Sequence, residues 1–246
     1  MNISILGLGY VGAVSAGCLA EEGHTVIGED PNKTKVDLIN KGITPVIEND
    51  IAEIIKSNVS AGRLRATTSV EDAITNSDIS IICVGTPSQM NGSLDLKYVR
   101  GVCEQIGSVL KNHHSHHVVV VKSTMLPGTM RELVIPTLEE YSGKRAGVDF
   151  GVCNNPEFLR EGSAVYDFYN PPKTVIGETD NRSGDMLASI FENLPGPKIR
   201  TNVETAEMVK YTDNVWHAVK VGFANEIGNI CKELGIDGHA VMDIFC

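Results

Sequence analysis

The sequence predicts an α/β protein, a doubly wound and mainly parallel sheet followed by one long helix. Three observations predict it. Short apolar runs alternate with longer amphipathic stretches over the first two hundred residues. The glycine turn GLGYVG, Gly7 to Gly12, follows the first apolar run directly, which is where a Rossmann-like dinucleotide fold places it. Near Arg200 the pattern gives way to a helical period running from Val203 to Leu234.

In chain order, ISILG (3–7) reads as a buried strand, Tyr10 to Glu22 as a helix and TVIGE (25–29) as a second strand. Helices are expected near Lys33–Asn40 and Ile51–Ser57, with a third strand in RLRATTS. SIICV (80–84) and HVVVVKST (117–124) are the fourth and fifth strands, joined by an amphipathic helix over 94–111. After Pro127 come a further helix and the strands DFGVCNN (149–155) and KTVIGE (173–178). Gly235 suits the stop of the long helix. These readings divide the chain into a dinucleotide-binding domain, residues 1–200, and the beginning of a helical region, 201–246. No internal repeat stands out.

Bulk composition excludes several function classes. The net charge is −10 with a pI near 5.2, so there is no basic footprint for nucleic acid. No run approaches the roughly 18 apolar residues of a membrane span. The N-terminus MNISILGLGYVG has neither a basic leader nor a cleavage site. The six cysteines (18, 83, 103, 153, 231, 246) are scattered, which is the pattern of reduced thiols. Together these predict a cytoplasmic protein. KNHHSHHV (111–118) holds four histidines in five residues. Without acidic or thiol partners nearby it is expected to be an exposed polar loop rather than a metal site.

The glycine turn carries the first chemical expectation. Gly7 permits the tight turn, Gly9 lets a pyrophosphate approach the backbone, and Gly12 lets helix and strand pack closely. The N–H groups of Tyr10 and Val11 open the helix and attract phosphate. Asp30, 18 residues after Gly12, ends the second strand. A carboxylate there accepts ribose hydroxyls and repels a 2′-phosphate, which favours NAD over NADP. Glu29 is a rival for that role, but strand alternation turns one of the two away. Lys35 lies within reach of ribose or phosphate. Thr86 and Thr124 end the fourth and fifth strands and can offer hydroxyls to a nicotinamide ribose or to substrate; isolated threonines also serve as turn residues or caps.

Two further stretches stand out. In NNPEFLREGSA (154–164), Glu157 and Glu161 are four apart and would share a face on a helix opened by Pro156. The bland account of this stretch is capping and surface charge. In KYTDNVWHAVKVGFAN (210–225), Lys210, Asn214, His217 and Asn225 fall within an arc of roughly 80° at 100° per residue. By spacing alone that row fits a solvated face as well as a ligand site.

GLGYVG, CVGTPS, STMLPGT, NPEFLREGSA and KYTDNVWHAVKVGFANEIGNI, in this order, resemble the UDP-glucose/GDP-mannose 6-dehydrogenase family, and the resemblance covers essentially the whole chain. Trp216–His217 and NGSLDLKYV (91–99) are similar to its GDP-mannose branch. The resemblance implies an NAD-dependent, four-electron oxidation of a sugar-nucleotide C6 alcohol to a carboxylate. The product implied is GDP-mannuronate, a precursor type for an acidic polysaccharide such as alginate. It implies cofactor contacts for Tyr10, Val11, Asp30, Lys35, Thr86 and Thr124, and substrate contacts for Glu161, Lys210, Asn214, His217 and Asn225. Lys210 and Asn214 would stabilise oxyanions developing at C6. Glu161 would move a proton or orient water through Thr124. The alternatives are the UDP-glucose reaction and a non-catalytic NAD-binding module that pairs into a homodimer through the long helix.

Two departures from the family pattern carry expectations of their own. The family's nucleophilic cysteine segment has no counterpart, so the 246 residues alone are expected to bind NAD without completing the oxidation. The Pro-Gly pair that follows the family's equivalent of Glu48 is replaced by Asn49–Asp50, which can still form a turn.

Overall fold

The computed structural model describes residues 1–246. Eight strands form one sheet: β1 Asn2–Leu6, β2 Thr25–Glu29, β3 Leu64–Thr67, β4 Ile79–Ile82, β5 Val118–Val121, β6 Gly151–Asn154, β7 Thr174–Glu178 and β8 Lys198–Asn202. Their order is β3-β2-β1-β4-β5-β6-β7-β8, and only β6 and β7 pair antiparallel. Strand order reverses between β1 and β4, where a crevice opens beyond the carboxyl ends of the strands.

Helices cover both faces. They are α1 Tyr10–Glu21, α2 Lys33–Asn40, α3 Ile51–Ser60, α4 Val70–Thr75, α5 Lys97–Leu110, α6 Ile135–Ser142, α7 Ala164–Tyr169 and α8 Asn181–Ser189. A wider π turn, Met130–Val134, leads into α6. On one face Ile5, Ile81 and Val120 pack against Val14 and Leu19 of α1 and Ile55 of α3. On the other, Leu6, Ile82 and Val121 pack against Val99 and Ile106 of α5 and Leu138 of α6. The alternation along each strand therefore feeds two cores. Gly12 makes the first of them possible, since a Cβ there would lie 1.8 Å from the Gly7 carbonyl oxygen.

After β8 the chain enters α9, Val203–Leu234, and ends in α10, Gly238–Phe245. Asn202 caps α9 by accepting from Thr205 N at 2.8 Å, and Gly235 closes it at φ +66°. Only the root of α9 is held by the sheet. Val203, Ala206, Glu207 and Lys210 are buried there. Glu207 accepts from Gly128 N (2.8 Å) and Met130 N (2.9 Å), tying the root to the turn after β5. Beyond Lys210 the helix leaves the domain with Trp216, Phe223 and Ile230 exposed. Its 32 residues span about 48 Å. No helix is long and apolar enough to cross a membrane.

The histidine-rich loop departs from expectation. His114 is exposed, but His117 is fully buried. Its Nε2 lies 2.7 Å from Ser80 Oγ, which is 2.6 Å from Ser4 Oγ, and its Nδ1 lies 3.2 Å from the Ser77 carbonyl. The ring is drawn in because β5 begins one residue later and Ser4 and Ser80 of the neighbouring strands supply partners at that level of the sheet.

Candidate functional site

The turn Gly7–Gly12 sits at the switch in strand order. Gly7 adopts φ +98° and donates its N–H to the Glu29 carbonyl at 2.7 Å, which locks the turn onto the end of β2. A Cβ on Gly9 would meet no protein atom within 4 Å, so this glycine leaves open space above the N-terminus of α1. Asp30 is buried and held on three sides. Its Oδ2 accepts from Leu8 N and from Lys35 Nζ, both at 2.9 Å, and its Oδ1 accepts from Asn32 N at 2.9 Å. The carboxylate is thus oriented before any ligand arrives.

A cleft of about 410 Å³ opens beside Asp30, bounded by Gly7, Gly9 and Lys35 on one side and by α5 on the other. A second cleft of about 230 Å³ continues past Gly9 and Val11 to Thr86, Thr124, Lys122 and Glu157. Thr86 Oγ1 donates to the Thr124 carbonyl at 2.8 Å, joining the two strand ends. The two clefts make one trough along the glycine turn. It has a carboxylate for a ribose at one end and hydroxyls, an ammonium and a carboxylate at the other, so the residues present fit a dinucleotide.

Lys210 Nζ lies 2.9 Å from Glu157 Oε1 at the far end of this trough. The segment carrying Glu157 is not helical between β6 and α7, so Glu157 and Glu161 do not share a helix face. Pro156 offers no N–H, and the Asn155 side chain is committed elsewhere: its Oδ1 accepts from Lys122 Nζ and its Nδ2 donates to the Val175 carbonyl, both at 2.8 Å. Glu157 turns inward to Lys210, while Glu161 is exposed. Lys122 is buried beside Glu157, and burial pulls its pKa below the usual lysine range. Sequence reasoning gave Glu157 a capping role and passed over Lys122. The signal for Lys122 was a lysine closing an all-valine strand.

A clasp joins the glycine turn to this segment. Glu48 accepts from the Tyr10 hydroxyl and from Gly162 N at 2.8 Å, while Asn49 Nδ2 donates to the Gly162 carbonyl at 2.8 Å. Burial and the Glu48 carboxylate push the Tyr10 phenol up to about 12; the same phenol holds the Glu48 carboxyl below its usual range. Asp50 makes the turn at φ 64°, the left-handed region that glycine occupies without strain.

Asn214, His217 and Asn225 are not brought to the trough by this chain's own packing. All three are exposed on the free part of α9. Asn214 is one turn beyond Lys210, and Asn225 lies about 22 Å further along the axis than Lys210.

Residues 1–195 match the model of the UDP-glucose/GDP-mannose dehydrogenase family, NAD binding domain, and residues 204–246 match the same family's central domain. The chain belongs to the UDP-glucose/GDP-mannose dehydrogenase family. Its NAD-binding domain is the sheet that carries the trough. A GDP-mannose 6-dehydrogenase of Pseudomonas putida is 57% identical over 246 residues, all of this chain and 56% of that protein. A UDP-glucose 6-dehydrogenase of Haloferax volcanii is 40% identical over 99% of this chain and 57% of its own length. The chain thus spans little more than half the length of these relatives. The crystal structure of a ternary complex of GDP-mannose dehydrogenase from Pseudomonas aeruginosa superposes with a TM-score of 0.99 at 56% identity. It is matched over 100% of this chain and 56% of its own.

Proposed function

We propose that this chain is the cofactor-binding part of an NAD-dependent sugar-nucleotide 6-dehydrogenase that oxidises GDP-mannose at C6 to GDP-mannuronate. The observation that supports this reading is the ion pair of Lys210 with Glu157, the carboxylate that lines the end of the dinucleotide trough with Thr124. When bound, NAD supplies the hydride acceptor. Gly7, Gly9, Gly12 and the N–H groups of Tyr10 and Val11 hold the pyrophosphate. Asp30 and Lys35 hold the adenosine ribose, and Thr86 and Thr124 face the nicotinamide ribose. Lys210 presents an ammonium to the C6 oxygen as negative charge develops there. Glu157 orients that ammonium and can take a proton from the same oxygen. Thr124 and Glu161 position water on the substrate side.

Asn214 adds an amide one turn along α9, and His217 and Asn225 meet the more distant hydroxyls or phosphates of the substrate. We divide the chain into 1–200 and 201–246; the end of the sheet in β8 and the departure of α9 from Val203 support a boundary in this region. The exposed apolar side chains of α9, Trp216 and Phe223 among them, favour pairing of two chains through this helix into a homodimer. GDP-mannose is preferred over UDP-glucose as substrate because identity is 57% to the former kind of relative and 40% to the latter.

The test is NADH formation by the full-length protein containing this chain, with GDP-mannose and with UDP-glucose. GDP-mannose should give the higher kcat/KM. Lys210→Met should lower kcat by about 10²–10³. Equal or better turnover of UDP-glucose would refute the substrate, and a Lys210→Met enzyme of normal kcat would refute the role of the ammonium.

A further inference from the structure

Lys122 follows the four valines of β5 and is only 7% exposed. Lysine is rarely found at that depth without a counter-charge. This one touches none. Its one side-chain hydrogen bond runs from Nζ to Asn155 Oδ1, a neutral amide, at 2.8 Å, and it forms no ion pair. The Phe191 ring stands 5.6 Å from Nζ. Burying a charge there opposes folding, so packing alone does not account for a lysine at this position.

The bonds around Lys122 converge on Glu157. Lys122 N donates to the Ile82 carbonyl at 2.9 Å, which fixes its backbone to the end of β4. Asn155 is fixed in turn, with its N–H on the Val121 carbonyl (2.9 Å) and its Nδ2 on the Val175 carbonyl (2.8 Å). Pro156 restricts the next step of the chain, and Glu157 follows it. Both oxygens of that carboxylate are held: Oε1 lies 2.9 Å from Lys210 Nζ, and Oε2 accepts from Leu159 N at 2.7 Å.

The charges do not balance. The charged and titratable groups facing Lys122 are Cys83 from the end of β4, Glu157 from the coil and Lys210 from α9. Asp167 and Lys173 line a neighbouring cavity of about 50 Å³ with Lys122. Burial pushes the Cys83 thiol up to about 12, so it is neutral. Asp167 is taken by Arg160 at 2.6 Å, and Lys173 lies 3.7 Å from Asp213. Glu157 is therefore the one carboxylate left for two ammonium groups. We propose that Lys122 is a positioning residue for Glu157: it fixes the turn carrying this carboxylate through Asn155, and its unpaired positive charge keeps the carboxylate ionised to accept the C6 hydroxyl proton. The inference rests on the dehydrogenase reading of the site and goes beyond it by giving Lys122 a task in that reaction.

The experiment uses the full-length protein containing this chain. NADH formation with GDP-mannose is followed from pH 5.5 to 9.5 in the parent and in Lys122→Met, Lys122→Arg and Asn155→Asp, with thermal melts to confirm folding. Lys122→Met removes the charge and keeps similar bulk. It should lower kcat by about 10–10² and move the acid limb of kcat/KM up by about one pH unit. Its NAD affinity by calorimetry should stay within about twofold of the parent's. Lys122→Arg keeps the charge, so its limb should stay at the parental pH even where kcat falls. Asn155→Asp supplies the missing counter-charge and should move the limb in the same direction as Lys122→Met, which keeps the test decisive if that variant does not fold. A folded Lys122→Met enzyme with parental kcat, or an acid limb unmoved in Lys122→Met or Asn155→Asp, overturns the role of Lys122. A parent that forms no NADH from any sugar nucleotide overturns the dehydrogenase reading itself.

Discussion

Lys210 Nζ stands 2.9 Å from Glu157 Oε1, and the two side chains are only 10% and 13% exposed. One comes from the root of a helix that leaves the domain, the other from a coil segment pinned by Pro156 and Asn155. The pair therefore fixes the direction in which α9 departs, as well as placing a charge at the end of the trough. A second cation, Lys173, shares the Phe158 ring with Lys210 at 4.5 and 5.5 Å to its centroid. The pocket thus places an ammonium between one carboxylate and one aromatic face.

Removing either partner of this pair leaves the other shielded from water without a counter-charge. Lys210→Met should lower stability by about 1–3 kcal/mol, below the range for fully buried pairs because some exposure remains. Lys210→Met with Glu157→Gln should regain most of that loss. Urea unfolding of the two single variants and the double variant checks this; strictly additive losses would show that the ion pair contributes no coupling.

His117 should give the chain an acid limb. Burial, with His113 close by at a ring distance of 5.5 Å, pushes its imidazole down to about 3. Below about pH 6.5 the unfolded chain binds a proton that the native state refuses. Stability from this group is therefore complete above pH 6.5 and lost as the pH falls toward 3. The slope should approach about 1.4 kcal/mol per pH unit in that window. His117→Gln, which keeps a side chain able to bond Ser80, should flatten it. An unchanged slope in chemical unfolding between pH 6.5 and 4 would exclude His117 as its source.

Glu29 should act in the opposite sense. Burial, and then the neighbouring Asp30 charge, push its carboxyl up to about 7. Between about pH 4.5 and 7 the native state keeps a proton that the unfolded chain has released. Its contribution is present at low pH and lost as the pH rises through 7. Glu29→Gln should therefore be more stable than the parent at pH 8 by about 1–2 kcal/mol and nearly equal to it at pH 4.5. Thermal melts of both proteins at the two pH values decide it.

The pentapeptide TVIGE shows how far the sequence could be read. Both copies, in β2 and β7, are strands, as their short apolar runs predict. Nothing in five identical letters distinguishes a glutamate paired with an arginine from one left facing a cleft, because the difference lies in the neighbouring strand. Where a signal is local, the reading held: α9 runs from Val203 to Leu234 as its period and caps predict, and the glycine turn joins β1 to α1. Where tertiary contacts decide, it did not. β8 gives no strand signal because it is an edge strand with four polar residues in five, KIRTN. His117 falls at the junction of the exposed-loop reading and the fifth strand, and its burial is not legible locally because its serine partners lie on other strands. The segment at Glu157 has helical spacing but is held in coil by the side chain of Asn155. The placing of Glu157 on Lys210 belongs to the same class, since the two are brought together only when α9 docks against the end of the sheet.

Asp50 offers a last, local test. It is the sole non-glycine residue with positive φ, at 64°, and its side chain makes no capping bond to α3. Aspartate tolerates this region better than most residues, yet a Cβ still carries a cost of the order of 1 kcal/mol there. Asp50→Gly relieves that strain but gives the unfolded chain more freedom to lose. The net change should be a gain of about 0.3–1 kcal/mol. The gain should reach the site as well, because the same turn carries Glu48 and Asn49 to Gly162. Amide hydrogen exchange at Gly162 should slow in Asp50→Gly if the turn limits opening of the clasp. Faster exchange, or a loss of stability, would mean that Asp50 holds the turn by a favourable interaction rather than under strain.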